Sequence, residues 1–293
     1  MKLNGAAILI ECLIEQGVGT VFGFPGGAVL PIYDELYKRK ERINHVLTAH
    51  EQHAGHAADG YARASGKTGV CIATSGPGAT NLVTAIATAY MDSTPVVFVT
   101  GNVPQSLMGT DSFQEADISG MTMPITKHNY LVTSVDRLAE TIREAFYIAS
   151  TGRPGPVLID IPIDIQNQDL KKFSYPTDVN IRGYKPSVKG NDLQIKRVVE
   201  VIGRSKQPLI CAGGGVWLSG AQKELVELAE RCSIPVVKTM MGISVMPTDH
   251  PLNLGMIGAH GNHCANQALA KADLLIMVGT RAADRAMVHP EDI

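Results

Sequence analysis

Two kinds of hydrophobic pattern alternate along most of the chain. Short, continuous apolar runs at 69–74 and 95–100 (PVVFVT) are too brief for helices and read as strands buried on both faces. Shorter β-rich runs at 20–24, which ends in a Pro-Gly-Gly turn, and at 45–49 read the same way. Between them lie helical patterns. Asn4 is placed to cap a helix running to about Gln16, and the Ala-rich stretch 51–65 predicts a second. An Ala/Thr-rich helix is expected over 78–91, and an amphipathic one over 136–150 leads into a strand at 156–160. Apolar strands separated by helices imply a parallel sheet with both faces covered.

The alternation stops between about Gln166 and Asn191, where Pro176, Pro186 and several charges show no periodicity. This stretch reads as an interdomain linker, 166–190. The pattern then restarts, with a helix at 192–203, a strand at 208–212, a helix at 220–232 and strands at 235–238 and 274–278. The expected fold class is therefore α/β, with two doubly wound parallel-sheet domains over 1–165 and 191–293. A doubly wound sheet normally continues beyond such a point, so the second, Rossmann-like domain is expected to be incomplete at its C-terminus.

Composition sharpens this little. A chain of 293 residues fits about two domains, and 45% hydrophobic with 18% charged residues is a globular balance that excludes disorder. The formal net charge of −2 gives no reason to expect nucleic acid or an anionic membrane as a partner. Glu11 and Glu15 interrupt the N-terminal apolar stretch, no run is long enough to span a bilayer, and no small-residue cleavage site suggests a signal peptide. Cys12, Cys71, Cys211, Cys232 and Cys264 are scattered, odd in number and without a C-x-x-C pair; they read as reduced core cysteines of a cytoplasmic protein.

Six segments carry candidate chemistry. In AHEQHAGHAADGYARASG (49–66), Glu51 stands where a strand passes into a helix, at the sheet edge where ligands bind. A carboxylate there can meet a ligand nitrogen, although spacing alone favours an ordinary first-turn acid stabilised by the helix dipole. His50, His53 and His56 invite a metal, but His50-Glu51-Gln52-His53 lacks the i, i+4 histidine pair of zinc proteases, and no metal is expected. TSGPGATN (74–81) and FGFPGGAVLP (22–31) are glycine turns after strands; each suits a bound polar ligand or simply a tight turn. GTDSFQEAD (109–117), with Gln114 beside Phe113, reads as a functional loop or a plain surface loop. PLICAGGGVWLSGAQKELVELAE (208–230) has the strand, glycines and helix of a nucleotide site without G-x-G-x-x-G. In GTRAADR (279–285), Arg281 and Arg285 suit a phosphate or an adenylate, or are solvated charges.

Taken in order, FGFPGGAVLPIYDEL, HEQHAGHAADGYARASGKTGVCIATSGPGATN, GTDSFQEADI, GRPGPVLIDIP and MGISVMPTDHPLNLGMIGAHG resemble the acetolactate synthase large-subunit family of thiamine-diphosphate enzymes, over about residues 3–290. The resemblance implies that 1–165 binds the pyrimidine of thiamine diphosphate. Glu51 then hydrogen-bonds a ring nitrogen and shares a proton with it. Gly26, Gly27, Ala28, Pro77, Gly78 and Asn81 line the cofactor. Phe113 and Gln114 approach cofactor and substrate across a subunit interface, so a homodimer or higher assembly is implied. The second domain resembles the family's FAD-binding domain. Arg153, Gly213, Gly214, Gly215, Thr239, Met240 and Ile257 match flavin-contacting positions, as do Gly258, His260, Gly279, Thr280, Arg281 and Arg285.

The activity implied is decarboxylation of pyruvate and carboligation to a second 2-oxoacid, giving acetolactate or acetohydroxybutyrate for branched-chain amino-acid biosynthesis. A regulatory small subunit and Mg2+, the latter through a C-terminal domain, belong to the same expectation. That domain's G-D-G…N motif is absent from these residues, so the chain alone is expected not to turn over. Two segments depart from the family pattern. Ala282 and Ala283 replace an aromatic and an acid in the G-x-R-F-D-D-R segment, and Ile163 replaces a lysine in D-I-P-K-D. Another thiamine-diphosphate decarboxylase or carboligase, and a non-catalytic nucleotide-binding fragment, are the competing readings.

Overall fold

The chain opens with a two-residue strand, β1 (Leu3–Asn4), and Asn4 caps helix α1 (Gly5–Glu15) by accepting from the Ala7 amide at 2.8 Å. A computed structural model describes residues 2–283 and 285–286. It divides the chain into two compact units, Met1–Val188 and Lys189–Ile293.

In the first unit there follow β2 (Thr20–Gly23), α2 (Leu30–Lys38), β3 (Asn44–Leu47), α3 (Glu51–Ser65) and β4 (Gly69–Ala73). Next come α4 (Pro77–Thr80), α5 (Val83–Asp92), β5 (Val96–Asn102), α6 (Ile118–Thr122), β6 (His128–Leu131) and α7 (Val135–Ser150). The unit ends with β7 (Val157–Pro162), α8 (Ile163–Asn167) and β8 (Asp169–Leu170). Six strands form one parallel sheet in the order β3-β2-β4-β5-β7-β6.

The continuous apolar runs have a direct cause, because β4, β5 and β7 are buried on both faces. Val70, Ile72, Val97 and Val99 point into a core shared with α1 and α7, while Cys71, Ala73, Val96 and Phe98 point into a second core with α3 and α5. That second core is alanine-rich because its helices approach closely. A Cβ on Gly55 of α3 would stand 2.5 Å from the Cβ of Ala85 on α5.

The single helix expected over 78–91 is two, α4 and α5. The hydrogen bonding tightens at the junction, where Leu82 N donates to Ala79 O, three residues back. The stretch expected to be a linker is bound instead to the first unit. Strand β8 pairs antiparallel with β1, and Phe173, Tyr175, Ile181 and Tyr184 pack on the core. Isolated anchors of this kind produce no periodicity, which explains the sequence pattern there.

The second unit contains α9 (Asp192–Arg204), β9 (Pro208–Ala212), α10 (Gly214–Leu218), α11 (Gln222–Cys232), β10 (Val236–Lys238), β11 (Asn253–Met256), α12 (His263–Lys271) and β12 (Leu274–Val278). Its sheet is parallel, ordered β11-β10-β9-β12. The helix expected from 220 starts at Gln222, since Gly220 turns left-handed (φ +68°) after the short α10. Helix α9 has an apolar face, yet Leu193 and Val199 are exposed and none of its residues is buried.

The cysteines correct one expectation. Cys12, Cys71 and Cys211 are buried, but Cys232 and Cys264 are exposed, so they are not core residues; all five are free thiols. None of the described helices is long and apolar enough to cross a membrane.

Candidate cofactor site

The chain runs from β2 outward to β3, then returns past β2 to β4. The loops leaving the neighbouring C-terminal ends of β2 and β4 therefore diverge, and that crevice is where an open parallel sheet binds ligands. Gly26, Gly27 and Ala28 follow β2, Glu51 follows β3, and residues 74–81 follow β4, all at this edge.

Glu51 is the first residue of α3. His50 precedes it in extended conformation and caps the helix, its Nδ1 accepting from the Gln52 amide at 3.1 Å. An ordinary first-turn acid sits in water. Glu51 is only 8% exposed, and its Oε2 accepts from Asn81 Nδ2 at 3.0 Å. No ion pair among the described residues neutralises it. Its Oε1 lies 3.1 Å from the position a Cβ on Gly78 would occupy.

Thr74 joins the loops. Its Oγ1 accepts from the Ala28 amide at 3.1 Å. Its methyl lies 2.4 Å from the Cβ position of Gly26 and 2.6 Å from that of Gly78, so neither glycine tolerates a side chain without moving Thr74. A Cβ on Gly27 would meet nothing within 4 Å, so this glycine faces open space. Gln166 is fully buried and steadies the same turn from the other side. Its Nε2 donates to Ala28 O at 2.7 Å and to Ile161 O at 2.8 Å. Sequence reasoning missed both residues. Thr74 carried a weak signal, standing where the β4 run meets its glycine turn. Gln166 carried none, since it opened the stretch taken for a linker.

The loop after β5 reaches the same place. Gly76 has φ +57°, and its Cβ would strike Gln114 O at 2.6 Å and Gln114 Cα at 2.9 Å. Gln114 is thus packed directly on the β4 turn. Asp111 and Gln114 both hold left-handed backbone (φ +55° and +57°), which costs energy for residues with side chains. Glu115 stabilises that shape. Its carboxylate accepts from the Gly109 amide, from Ser112 N at 3.0 Å and from Ser112 Oγ at 3.2 Å. These bonds, the Gly109 amide first, hold its carboxyl below the usual range. Phe113 turns outward and is 86% exposed.

At the exit of β5, Asp160 is buried and accepts from Thr100 Oγ1 at 2.7 Å and from Asn102 Nδ2. Asn102 Oδ1 in turn accepts from Val103 N at 2.8 Å, at the start of the loop that carries Gln114. Burial pushes the Asp160 carboxyl up to about 6, against the two hydrogen bonds, which lower it.

In the second unit, the loops after β9 and β12 meet where strand order reverses. Gly213 N donates to Val278 O at 2.9 Å and Gly215 N to Gly279 O at 2.8 Å. A Cβ on Gly213 would lie 2.5 Å from Gly279 O, and one on Gly215 2.7 Å from Gly279 Cα, so these glycines serve contact between two backbones. Gly279 is left-handed (φ +59°), and Gly214 and Thr280 stand beside the same junction. Thr239 follows β10 and donates from its amide to Ala212 O, and Met240 beside it is exposed. After β11, Ile257 is buried, Gly258 donates from its amide to Asn266 Oδ1, and His260 is exposed. Arg281 and Arg285 are exposed. Arg153 belongs to the first unit, where its Nε donates to Ser93 Oγ at 2.7 Å. Ile163 opens α8. Among the described residues, no cluster of three His, Cys, Asp or Glu is arranged to hold a metal.

Two family models match the chain. One is described as thiamine pyrophosphate enzyme, N-terminal TPP binding domain, and matches residues 3–121; the other, thiamine pyrophosphate enzyme, central domain, matches residues 195–292. The chain belongs to the thiamine pyrophosphate enzyme family, and every loop of the crevice around Glu51 falls within the first match. Within that family it is similar to acetolactate synthases. It is 54% identical over 285 residues to the probable acetolactate synthase large subunit of Methanocaldococcus jannaschii, covering 97% of this chain and 48% of the relative. It is 51% identical over 284 residues to the acetolactate synthase large subunit of Corynebacterium glutamicum, covering 97% and 45%. It is 53% identical over 284 residues to the acetolactate synthase of Mycobacterium bovis, covering 97% and 46%. The chain thus spans about half the length of these relatives.

Proposed function

We propose that this chain forms the pyrimidine-binding and central parts of a thiamine-diphosphate acetolactate synthase. That enzyme decarboxylates pyruvate and joins the remaining two carbons to a second 2-oxoacid. The observation that carries this reading is the buried, uncharge-paired Glu51 beside a crevice floored by glycines.

The residues fit the cofactor. Gly27 opens onto free space, and Gly26 and Gly78 let their turns close on Thr74 and, for Gly78, on Glu51. When bound, thiamine diphosphate supplies the carbon nucleophile that attacks the 2-oxoacid and the positive ring that holds the electron pair left by carbon dioxide. Glu51 provides the proton traffic. Asn81 donates to Oε2 and so reserves that oxygen as an acceptor, which leaves Oε1, on the Gly78 side, to carry the proton shared with a ring nitrogen. The packing of Gln114 on Gly76 supports a part for it in orienting substrate, and the exposure of Phe113 supports contact with a second subunit of a homodimer.

FAD in the second unit is part of the proposal. Its support is the paired glycine loops at the reversal of strand order, the position where such sheets bind dinucleotides. Ala282 and Ala283 leave that contact to the backbone and to Arg281. We assign the diphosphate and its Mg2+ to a part of the protein outside these residues. A regulatory small subunit is proposed because relatives are named large subunits.

The test is acetolactate formation from pyruvate by the full-length protein with thiamine diphosphate, Mg2+ and FAD. Glu51→Gln should lower kcat by roughly 10²–10⁴-fold, the usual worth of a positioned proton-transfer group. Activity unchanged by that substitution would overturn the reading. Visible flavin absorbance of the purified protein tests the FAD assignment.

A further inference from the structure

A cavity lies at the opposite edge of the first unit's sheet from the cofactor crevice, beneath the N-terminal ends of β2 and β4. Its volume is about 380 Å3, within the range of small-ligand sites. Tyr61, Tyr147, Val18 and Gln16 line it together with two cations, Lys67 and Arg143, and no Asp or Glu is among its lining residues.

Arg143 is poorly satisfied. Its Nε is buried without a hydrogen-bond partner. Its Nη1 reaches Gln16 Oε1 at 3.5 Å, and the guanidinium also meets the Tyr175 hydroxyl and stands 6.0 Å from the centre of that ring. Gln16 is held in place because its Nε2 donates to Tyr175 Oη. Neither Arg143 nor Lys67 belongs to an ion pair among the described residues. A guanidinium is always charged and offers five donors in a rigid fork. Leaving Nε buried and unmatched costs free energy, and the guanidinium's remaining donors, which line the cavity, can make charge-assisted bonds to a bound oxyanion.

We propose that this cavity binds a small oxyanion, a carboxylate or a phosphate, through Arg143 and Lys67, with any ring or apolar body of the ligand lying along Tyr61 and Tyr147. The site is separate from the cofactor crevice, which lies at the other end of the same strands. It does not depend on the reaction proposed above.

The experiment is calorimetric titration of the full-length protein with benzoate and, separately, with inorganic phosphate, on wild type, Arg143→Met and Lys67→Met. Saturable binding of either probe that weakens at least tenfold in Arg143→Met supports the site. Preference for benzoate identifies a carboxylate ligand with an apolar body, and preference for phosphate identifies a phosphate ligand. If Arg143→Met does not fold, Lys67→Met on the exposed loop decides, with at least a threefold weakening expected. Absence of saturable binding of both probes, or binding that is the same in every folded variant, overturns the proposal.

Discussion

Asn81 Nδ2 donates to Glu51 Oε2 across 3.0 Å, joining two residues thirty positions apart in the chain. The bond connects the end of α4 to the start of α3 and fixes which oxygen of the carboxyl is already engaged. Asn81→Ala should destabilise the protein by about 1–3 kcal/mol, since a buried carboxylate loses a hydrogen bond. It should also lower kcat for acetolactate formation more than it raises KM. Asn81→Asp should do more damage, because it replaces the donor to Glu51 Oε2 with a second carboxylate at the same distance. Steady-state kinetics with chemical denaturation measure both effects.

Gly78 and Thr74 are coupled by contact. Gly78→Ala places a methyl 2.6 Å from the Thr74 methyl and 3.1 Å from Glu51 Oε1. The expected result is at least tenfold weaker thiamine diphosphate binding, with a stability cost of about 1–3 kcal/mol from overpacking. Thr74→Ser keeps the oxygen that accepts from Ala28 and removes the methyl. Adding it to Gly78→Ala should therefore recover part of both losses. Strict additivity in that double-mutant cycle would refute the coupling.

The strained loop should depend on Glu115. Glu115→Ala removes the acceptor for Gly109 and Ser112 while leaving the core untouched. Activity should fall at least tenfold with Tm unchanged within a degree or two. The sign with pH follows from the lowered carboxyl. The loop's anchoring is fully present above the ordinary carboxyl range and is lost as pH falls below it, through the lowered folded value, so wild type should become more susceptible to protease cleavage within 109–117 on acidification. The alanine variant should be susceptible throughout.

Asp160 gives the opposite sign. Its folded carboxyl titrates near 6, above its ordinary value of 3.8. Between about pH 4 and 6 the folded protein holds a proton the unfolded chain has released, so stability falls as pH rises through that window. The full effect is on the order of 3 kcal/mol. Asp160→Asn carries no titrating proton and should flatten the stability profile across those values. Urea denaturation at several pH values measures it, and an unchanged slope would assign the effect elsewhere.

The sheets were legible because their central strands are buried on both faces and leave unbroken apolar runs. Strands β6 and β11 were not, since HNYL and NLGM are only partly covered and too short to show an unbroken apolar run. The glycine turns were legible as turns, but their purpose was not. That Gly76 seats Gln114, or that Gly26 and Gly78 share one threonine, depends on contacts between distant segments. Glu51 shows the same limit. Local spacing favoured a helix-start acid, and only its burial and its bond to Asn81 mark it out from such acids. The resemblance to a family supplied what spacing alone withheld.

The turns around the crevice carry four glycines. Gly26, Gly27, Gly76 and Gly78 present no side chains to exchange, and Thr74 and Gln166 are committed to holding the turns. Such a surface offers few places where a point change can adjust fit without breaking the frame. New substrate preferences should therefore arise in the outlying loop around Phe113 and Gln114, and libraries meant to redirect selectivity should be concentrated there, leaving the glycine turns alone.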